Sequence, residues 1–234
     1  AAMNLLCAAK FIAETDFVGV ATCLHYHSDD NQCAVIPGTK VRKMHTSRRD
    51  AFQPINTEPI ALVSLKEIKF LQDYCKEGQK PILKEKFSDK VGLLKVHPNM
   101  DEKLWEFYTK NFKAIVIEGT GLGHTPTNSK ENEKKYTLLK KFIEKNGIVA
   151  ITSQCLYGAV HPYVYTNLRR LSEIGCIFCE DMLPETAYIK LSWLLGNYSV
   201  EEAKNLLAKN LRGEINTRRT FNERLSSKRG EKDE

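Results

Sequence analysis

Lys113–Glu118 reads KAIVIE and runs directly into Gly119-Thr120-Gly121-Leu122-Gly123-His124-Thr125-Pro126. A short, continuous apolar run bounded by charge and ended by glycines is the pattern of a strand buried on both faces. The same rhythm extends to either side. Upstream, Lys90–Val96 (KVGLLKV) predicts another buried strand, and Asp101–Asn111 a helix with Leu104, Phe107 and Tyr108 on one face. Downstream, Glu131–Asn146 predicts a charged helix whose Leu138, Leu139, Phe142 and Ile143 cluster at helical spacing, with Gly147 as its stop. Ile148–Thr152 (IVAIT) is a third strand, Tyr165–Ile174 a helix closed by Gly175, and Cys176–Phe178 a short fourth strand. Pro184 suits the first turn of a helix to Leu195, before Gly196. Ser199 can cap a last helix through Leu211, with Glu201 and Glu202 in its first turn. Short buried strands alternating with helices predict one doubly wound parallel-sheet domain over residues 90–212.

Residues 1–71 follow another pattern. Met3–Glu14 is an amphipathic helix, Val18–Leu24 a strand, and Cys33–Val41 a strand broken by Pro37-Gly38. Ile60–Ser64 and Ile68–Leu71 predict a small strand pair. A segment opening on a helix with no strand before it reads as the back of an α/β domain whose front is missing. Residues 72–89 are charged and weakly periodic, so they read as a linker. Residues 213–234 form a tail, polar and frayed from Arg218 onward.

The 234 residues are 42% hydrophobic and 27% charged, which excludes a wholly disordered chain. A net charge of +6 permits acidic partners without requiring nucleic acid. No apolar run approaches the roughly 18–20 residues of a membrane span. Ala1-Ala2-Met3-Asn4 lacks the basic-then-apolar order of a secretory leader. Seven scattered cysteines do not suggest a disulfide framework, and a reducing cytoplasm suits them better.

Ligands of open parallel sheets sit beyond the carboxyl ends of the strands, so Gly119–Pro126 is either a binding loop or a tight turn. Its GxGxG spacing departs from the dinucleotide GxGxxG, and the next strand ends in Thr152-Ser153-Gln154, where a ribose-binding acid would stand. Thr152–Gly158 (TSQCLYG) brings hydroxyl, amide and phenol groups to the same edge, suited to orienting a polar substrate. Glu180-Asp181 adds two carboxylates there, unless Asp181 caps the helix at Pro184. Arg42–Asp50 (RKMHTSRRD) holds four fixed cations, a histidine and two hydroxyls. It is either a solvated basic loop or the setting of a lysine base, since neighbouring cations lower an ammonium's pKa. Cys176-Ile177-Phe178-Cys179 lacks a second ligand pair for zinc and reads as buried strand; His25–Asp30 reads as a polar turn. No GxSxG, HExxH or phosphate loop is present, and no metal site is expected.

Four stretches carry a family resemblance: Val41–Phe52 (VRKMHTSRRDAF), Ile115–Pro126 (IVIEGTGLGHTP), Thr152–Gly158, and Glu180–Gly196 (EDMLPETAYIKLSWLLG). They closely resemble the D-subunit family of archaeal glutamyl-tRNA(Gln) amidotransferases, built on the type I L-asparaginase fold. The likeness runs to about Phe221. It implies an asparaginase-like α/β fold, with an incomplete first α/β domain followed by a smaller doubly wound parallel-sheet domain. GTGLGHTP and SQCLYG favour the amidotransferase component over a free cytoplasmic L-asparaginase.

The resemblance implies covalent catalysis by an activated hydroxyl. In the family a threonine attacks the side-chain amide of glutamine or asparagine, a second threonine, an aspartate and a lysine assist, and ammonia is released. Lys43 matches the lysine; the other three belong to the front of the first domain, so this chain should not hydrolyse amides unaided. Gly121, Gly123, His124, Gln154 and Tyr157 are implied to shape a site, acting across a homodimer. ATP and Mg are expected in a partner, the amidotransferase E subunit, which converts Glu-tRNA(Gln) to Gln-tRNA(Gln), so contact with tRNA would be indirect. A non-catalytic interaction module remains the other alternative. The family usually has a glycine where Leu168 stands and Pro-Gly where Phe178 and Cys179 stand.

Overall fold

A computed structural model describes residues 2–78 and 80–218. The expected frayed tail beyond Arg218, and the Phe221 end of the resemblance, lie outside the described residues. Two compact units divide the chain, one through Leu83 and the other from Lys84. No helix among the described residues is long and apolar enough to cross a membrane.

The first unit holds α1 (Ala2–Glu14), β1 (Ala21–His25), β2 (Cys33–Pro37), β3 (Val41–Lys43), β4 (Phe52–Pro54), β5 (Ala61–Val63) and β6 (Ile68–Phe70). Its main sheet has the order β1-β2-β5-β6, antiparallel throughout. The strand pair expected at 60–71 is therefore the outer half of a larger sheet. β1 starts later than its apolar run, because Gly19 turns the backbone to φ +150. Helix α1 buries Cys7 and Phe11 against Cys33, Val35, Ala61 and Val63.

The second unit holds β7 (Val91–Lys95), α2 (Glu102–Asn111), β8 (Ala114–Gly119), α3 (Glu133–Glu144), β9 (Ile148–Ser153), α4 (Thr166–Glu173), β10 (Ile177–Phe178), α5 (Pro184–Asn197) and α6 (Val200–Leu207). The sheet is parallel in the order β10-β9-β8-β7, with Val116 opposite Leu93 and Ala150. Strand β8 alternates between two cores. Ile115 and Ile117 face a cluster with Trp105, Leu139 and Leu168, from α2, α3 and α4. Ala114 and Val116 face one with Ala187, Leu191 and Ala203, from α5 and α6. Each fully buried Leu or Ile in these layers contributes about 1.5–3 kcal/mol before chain entropy is subtracted.

Four local readings need correction. The buried face of α2 centres on Trp105, fully enclosed, while Leu104 and Phe107 stay 37% and 53% exposed. Gly92 on β7 makes room for the Tyr108 ring of that inner face. Helix α3 ends in a left-handed Asn146 at φ 66, not at Gly147. Asn146 N–H donates to Ile143 O and Gly147 N–H to Phe142 O, the paired bonds of a Schellman cap. Gly196 lies inside α5, where an added Cβ would meet the Lys86 carbonyl. Helix α6 begins at the predicted Ser199 cap, which the structure shows to be a capping box with Glu202, but stops at Leu207. There Lys190 Nζ, buried on α5, donates to the Leu207 carbonyl, a cation at a helix C-terminus.

Candidate active-site elements

Lys43 ends β3, and β4 opposes it in the register Lys43↔Phe52 and Arg42↔Gln53. The sequence predicts no strand at β4, since three residues carrying a proline give no periodic signal. The Lys43 side chain is exposed, with its ammonium 5.8 Å from the Phe52 ring centroid. Among the described residues no carboxylate pairs with it.

The loop beyond Lys43 is closed by its own side chains. Met44 N–H donates to Ala51 O at 2.6 Å. His45 Nδ1 accepts from the backbone N–H of Ser47 at 3.1 Å and of Arg48 at 3.2 Å. Arg48 grips Asp50 with two bonds, 2.9 and 2.7 Å, which hold the Asp50 carboxyl below the ordinary carboxylate range. Arg49 reaches Asp30 at 2.8 Å, and Asp30 also meets His25 Nε2 at 2.7 Å. Arg48 and Arg49 are thus both ion-paired, and His25–Asp30, the turn between β1 and β2, anchors the second of them.

In the second unit, Gly119–Thr125 leaves β8 as a self-closing turn. Thr120 and His124 exchange backbone bonds of 2.9 Å each. Gly119 and Gly123 are required by this closure. A Cβ on Gly119 would lie 2.6 Å from the Gly123 backbone, and one on Gly123, at φ +105, 2.7 Å from Ile151. Gly121, at φ +51, has open space around it. Here a glycine pair serves backbone and core packing, while Gly121 is the glycine beside free volume. The His124 ring lies 5.0 Å from that of Tyr165.

Gln154 joins three strand ends. Its N–H donates to Gly119 O, and its amide Nε2 to Val96 O at 2.6 Å and Glu118 O at 2.9 Å. Both side-chain donors are therefore engaged with backbone. Ser153 Oγ donates to Gly121 O at 2.6 Å, and buried Thr152 donates to Ile117 O. Tyr157 is half-buried after this edge. Glu180, following β10, takes a left-handed φ of 53, and its carbonyl accepts from Val160 N–H. The N-cap position of α5 is Leu183, and Asp181 Oδ1 accepts from Asn216 N–H at 3.0 Å. Leu168 and Cys179 are fully buried and Phe178 nearly so.

Among the described residues no three His, Cys, Asp or Glu side chains are grouped to hold a metal. Burial pushes the Cys176 thiol far up and the Cys179 thiol to about 12, so both remain neutral and poorly nucleophilic. The Nδ1 bonds of His45, the Gln154 amide bonds and the Lys190–Glu214 pair are not foreseen from the sequence. The first leaves one signal, a histidine two and three residues ahead of available amides.

An antiparallel unit precedes a doubly wound one, with a lysine hairpin in the first and a glycine turn in the second. The same two parts emerge from similarity to known proteins. Residues 90–207 match the glutaminase/asparaginase C-terminal domain, and residues 1–76 the asparaginase N-terminal domain. The chain belongs to the glutaminase/asparaginase family. It is 46% identical over 220 residues to the glutamyl-tRNA(Gln) amidotransferase D subunit of Pyrococcus furiosus, covering 92% of this chain and 49% of that protein. The D subunit of Thermococcus kodakarensis is 45% identical, with 92% and 48% covered. The chain thus spans about half the length of these curated relatives. Among solved structures, the thermostable L-asparaginase from Thermococcus kodakarensis superposes with a TM-score of 0.81 at 27% identity, covering 92% of this chain and 62% of that one. L-asparaginase I from Vibrio cholerae gives 0.71 at 25% identity, covering 83% and 57%.

Proposed function

We propose that the chain is part of the ammonia-releasing component of a tRNA-dependent amidotransferase. The observation that carries this reading is the 46% identity to an amidotransferase D subunit over 92% of the chain, against 27% to the L-asparaginase with a TM-score of 0.81. Ammonia freed from glutamine or asparagine would pass to the partner E subunit. That partner would use ATP and Mg to activate Glu-tRNA(Gln) and form Gln-tRNA(Gln). Lys43 is the residue proposed to act at the reacting centre, assisting proton transfer as a threonine oxygen attacks the amide carbon. An acyl-enzyme ester forms, ammonia leaves, and water returns the ester to a carboxylate and free hydroxyl. The threonine would come from the front of the first domain. Gly121, Gly123, His124, Gln154 and Tyr157 are proposed to shape the site, acting in trans across a homodimer in the cytoplasm.

The test is reconstitution with that front segment, followed by an assay of ammonia release from glutamine and from asparagine. Lys43→Ala is expected to lower turnover by about 10²–10⁴-fold. Release of ammonia by this chain alone, unchanged by Lys43→Ala, would overturn the proposal. A second reading, a free L-asparaginase, is favoured by the TM-score of 0.81 to such an enzyme. It expects no co-purification with an E subunit and no conversion of Glu-tRNA(Gln).

A further inference from the structure

We propose that His45 is a positioning residue for Lys43, acting through its Nδ1 lone pair as a bracket on the loop that follows the lysine. The inference rests on the assignment of Lys43 to the reacting centre. Lys43 is the last residue of β3, and strand pairing fixes its backbone only from one side. Beyond it, Met44 N–H to Ala51 O is the final cross-hairpin bond of the pair. The chain must then turn through Thr46–Asp50 without regular pairing. His45 supplies the missing constraint, since one ring nitrogen accepts from Ser47 N–H at 3.1 Å and Arg48 N–H at 3.2 Å. Both donors lie in the turn itself, two and three residues beyond His45, so the bond pair restrains the course of the chain just after Lys43.

The chemistry of the bracket is specific. A ring nitrogen that accepts two N–H groups carries no proton, so neutral His45 must be the Nε2–H tautomer. The acceptor stands two bonds beyond Cβ, where an asparagine places Oδ1. Asparagine commonly accepts from backbone N–H two residues ahead. Asparagine should therefore replace the bracket and alanine should not. The Arg48–Asp50 clamp and the Gln53 Nε2 to Asp50 O bond at 2.8 Å hold the far end of the loop, so the fold should survive either change.

Amide hydrogen exchange on this chain tests the bracket without any assay of activity. In His45→Ala, exchange at Ser47 and Arg48 should quicken at least about tenfold, with the core strands unchanged. In His45→Asn it should return to the original rate. Equal exchange in wild type and His45→Ala, or an asparagine variant that behaves like alanine, would overturn the proposal. Long-range proton–nitrogen correlation of the unaltered protein should find the proton on Nε2; a proton on Nδ1 would also overturn it. The positioning role is read in the enzyme reconstituted with its front segment. His45→Ala should lower kcat for amide hydrolysis by about 10²-fold, the scale of a small misplacement of a reacting group, with KM little changed. His45→Asn should restore it. An unaltered kcat in His45→Ala, where Lys43→Ala is inactive, would sink the positioning role. Full activity in Lys43→Ala would instead sink the functional reading, and the exchange result would still decide the bracket.

Discussion

The Lys190 ammonium lies 2.6 Å from the Glu214 carboxylate, with the two side chains only 7% and 3% exposed. Lys190 also donates to the carbonyls of Leu207 and Lys209. Glu214 accepts from the backbone N–H groups of Leu211 and Arg212. The pair therefore ends α6 and ties residues 207–214 to α5. Removing one partner leaves a buried charge with unmet hydrogen bonds. Lys190→Met or Glu214→Leu alone should each destabilise by about 3–5 kcal/mol, and the double replacement by less than the sum. Urea denaturation of the four proteins checks this.

The same pair predicts an acid limb. Burial by itself would raise the Glu214 pKa, but the Lys190 ammonium and the backbone donors outweigh it and hold it below its ordinary value of 4.5. A carboxyl depressed on folding contributes stability that is present above its unfolded pKa and is lost as pH falls through the folded one. The melting temperature should drop below about pH 4.5. In Glu214→Gln that acid-side slope should flatten, on a lower plateau at neutral pH.

Gly196→Ala should run against helix propensity. Alanine inside a helix normally gains about 1 kcal/mol over glycine. At this position the new Cβ would fall on the Lys86 carbonyl, a backbone atom. The variant should melt at a lower temperature than the parent, and a higher one would show that the segment at Lys86 yields freely.

The glycine turn should separate conformational strain from steric conflict. Gly121→Ala should cost about 1–2 kcal/mol, the penalty of left-handed backbone alone. Gly123→Ala adds a conflict with Ile151 at 2.7 Å and should cost more. Equal losses in chemical denaturation would contradict the packing role of Gly123.

Gln154 offers a test of sign. Gln154→Ala leaves the Val96 and Glu118 carbonyls without the amide donor, at about 1–3 kcal/mol. Gln154→Glu is nearly isosteric but aims carboxylate oxygens at the same two carbonyls. It should be the less stable variant at neutral pH and should recover toward the alanine variant in acid. Denaturant titration at neutral and acid pH decides the order.

The parallel half was legible because its strands are buried on both faces. Runs such as KAIVIE and IVAIT have few other readings, and the glycine after α4 and Ser199 before α6 mark helix ends through local chemistry. What misled was local as well. Leu104 and Phe107 have helical spacing as good as that of Trp105 and Tyr108, and only the sheet decides which stripe turns inward. Gly196 reads as a stop because glycine usually ends helices, yet here it admits a neighbouring backbone. At the candidate site Lys43 is proposed from the motif around it, whereas the bond partners of His45 and Gln154 left no periodic trace.

The sequence by itself determined the order of strands and helices in the parallel half, the caps at Ser199 and Gly175, and the family. Each depends on residues within a few positions of one another or on a contiguous motif. Only the tertiary structure decided that Gln154 meets Val96 and Glu118, that Lys190 meets Glu214, and that Gly123 packs on Ile151. These are contacts between residues distant along the chain. Burial sets their strength, because a polar or charged group removed from water must find a partner that chain order does not name.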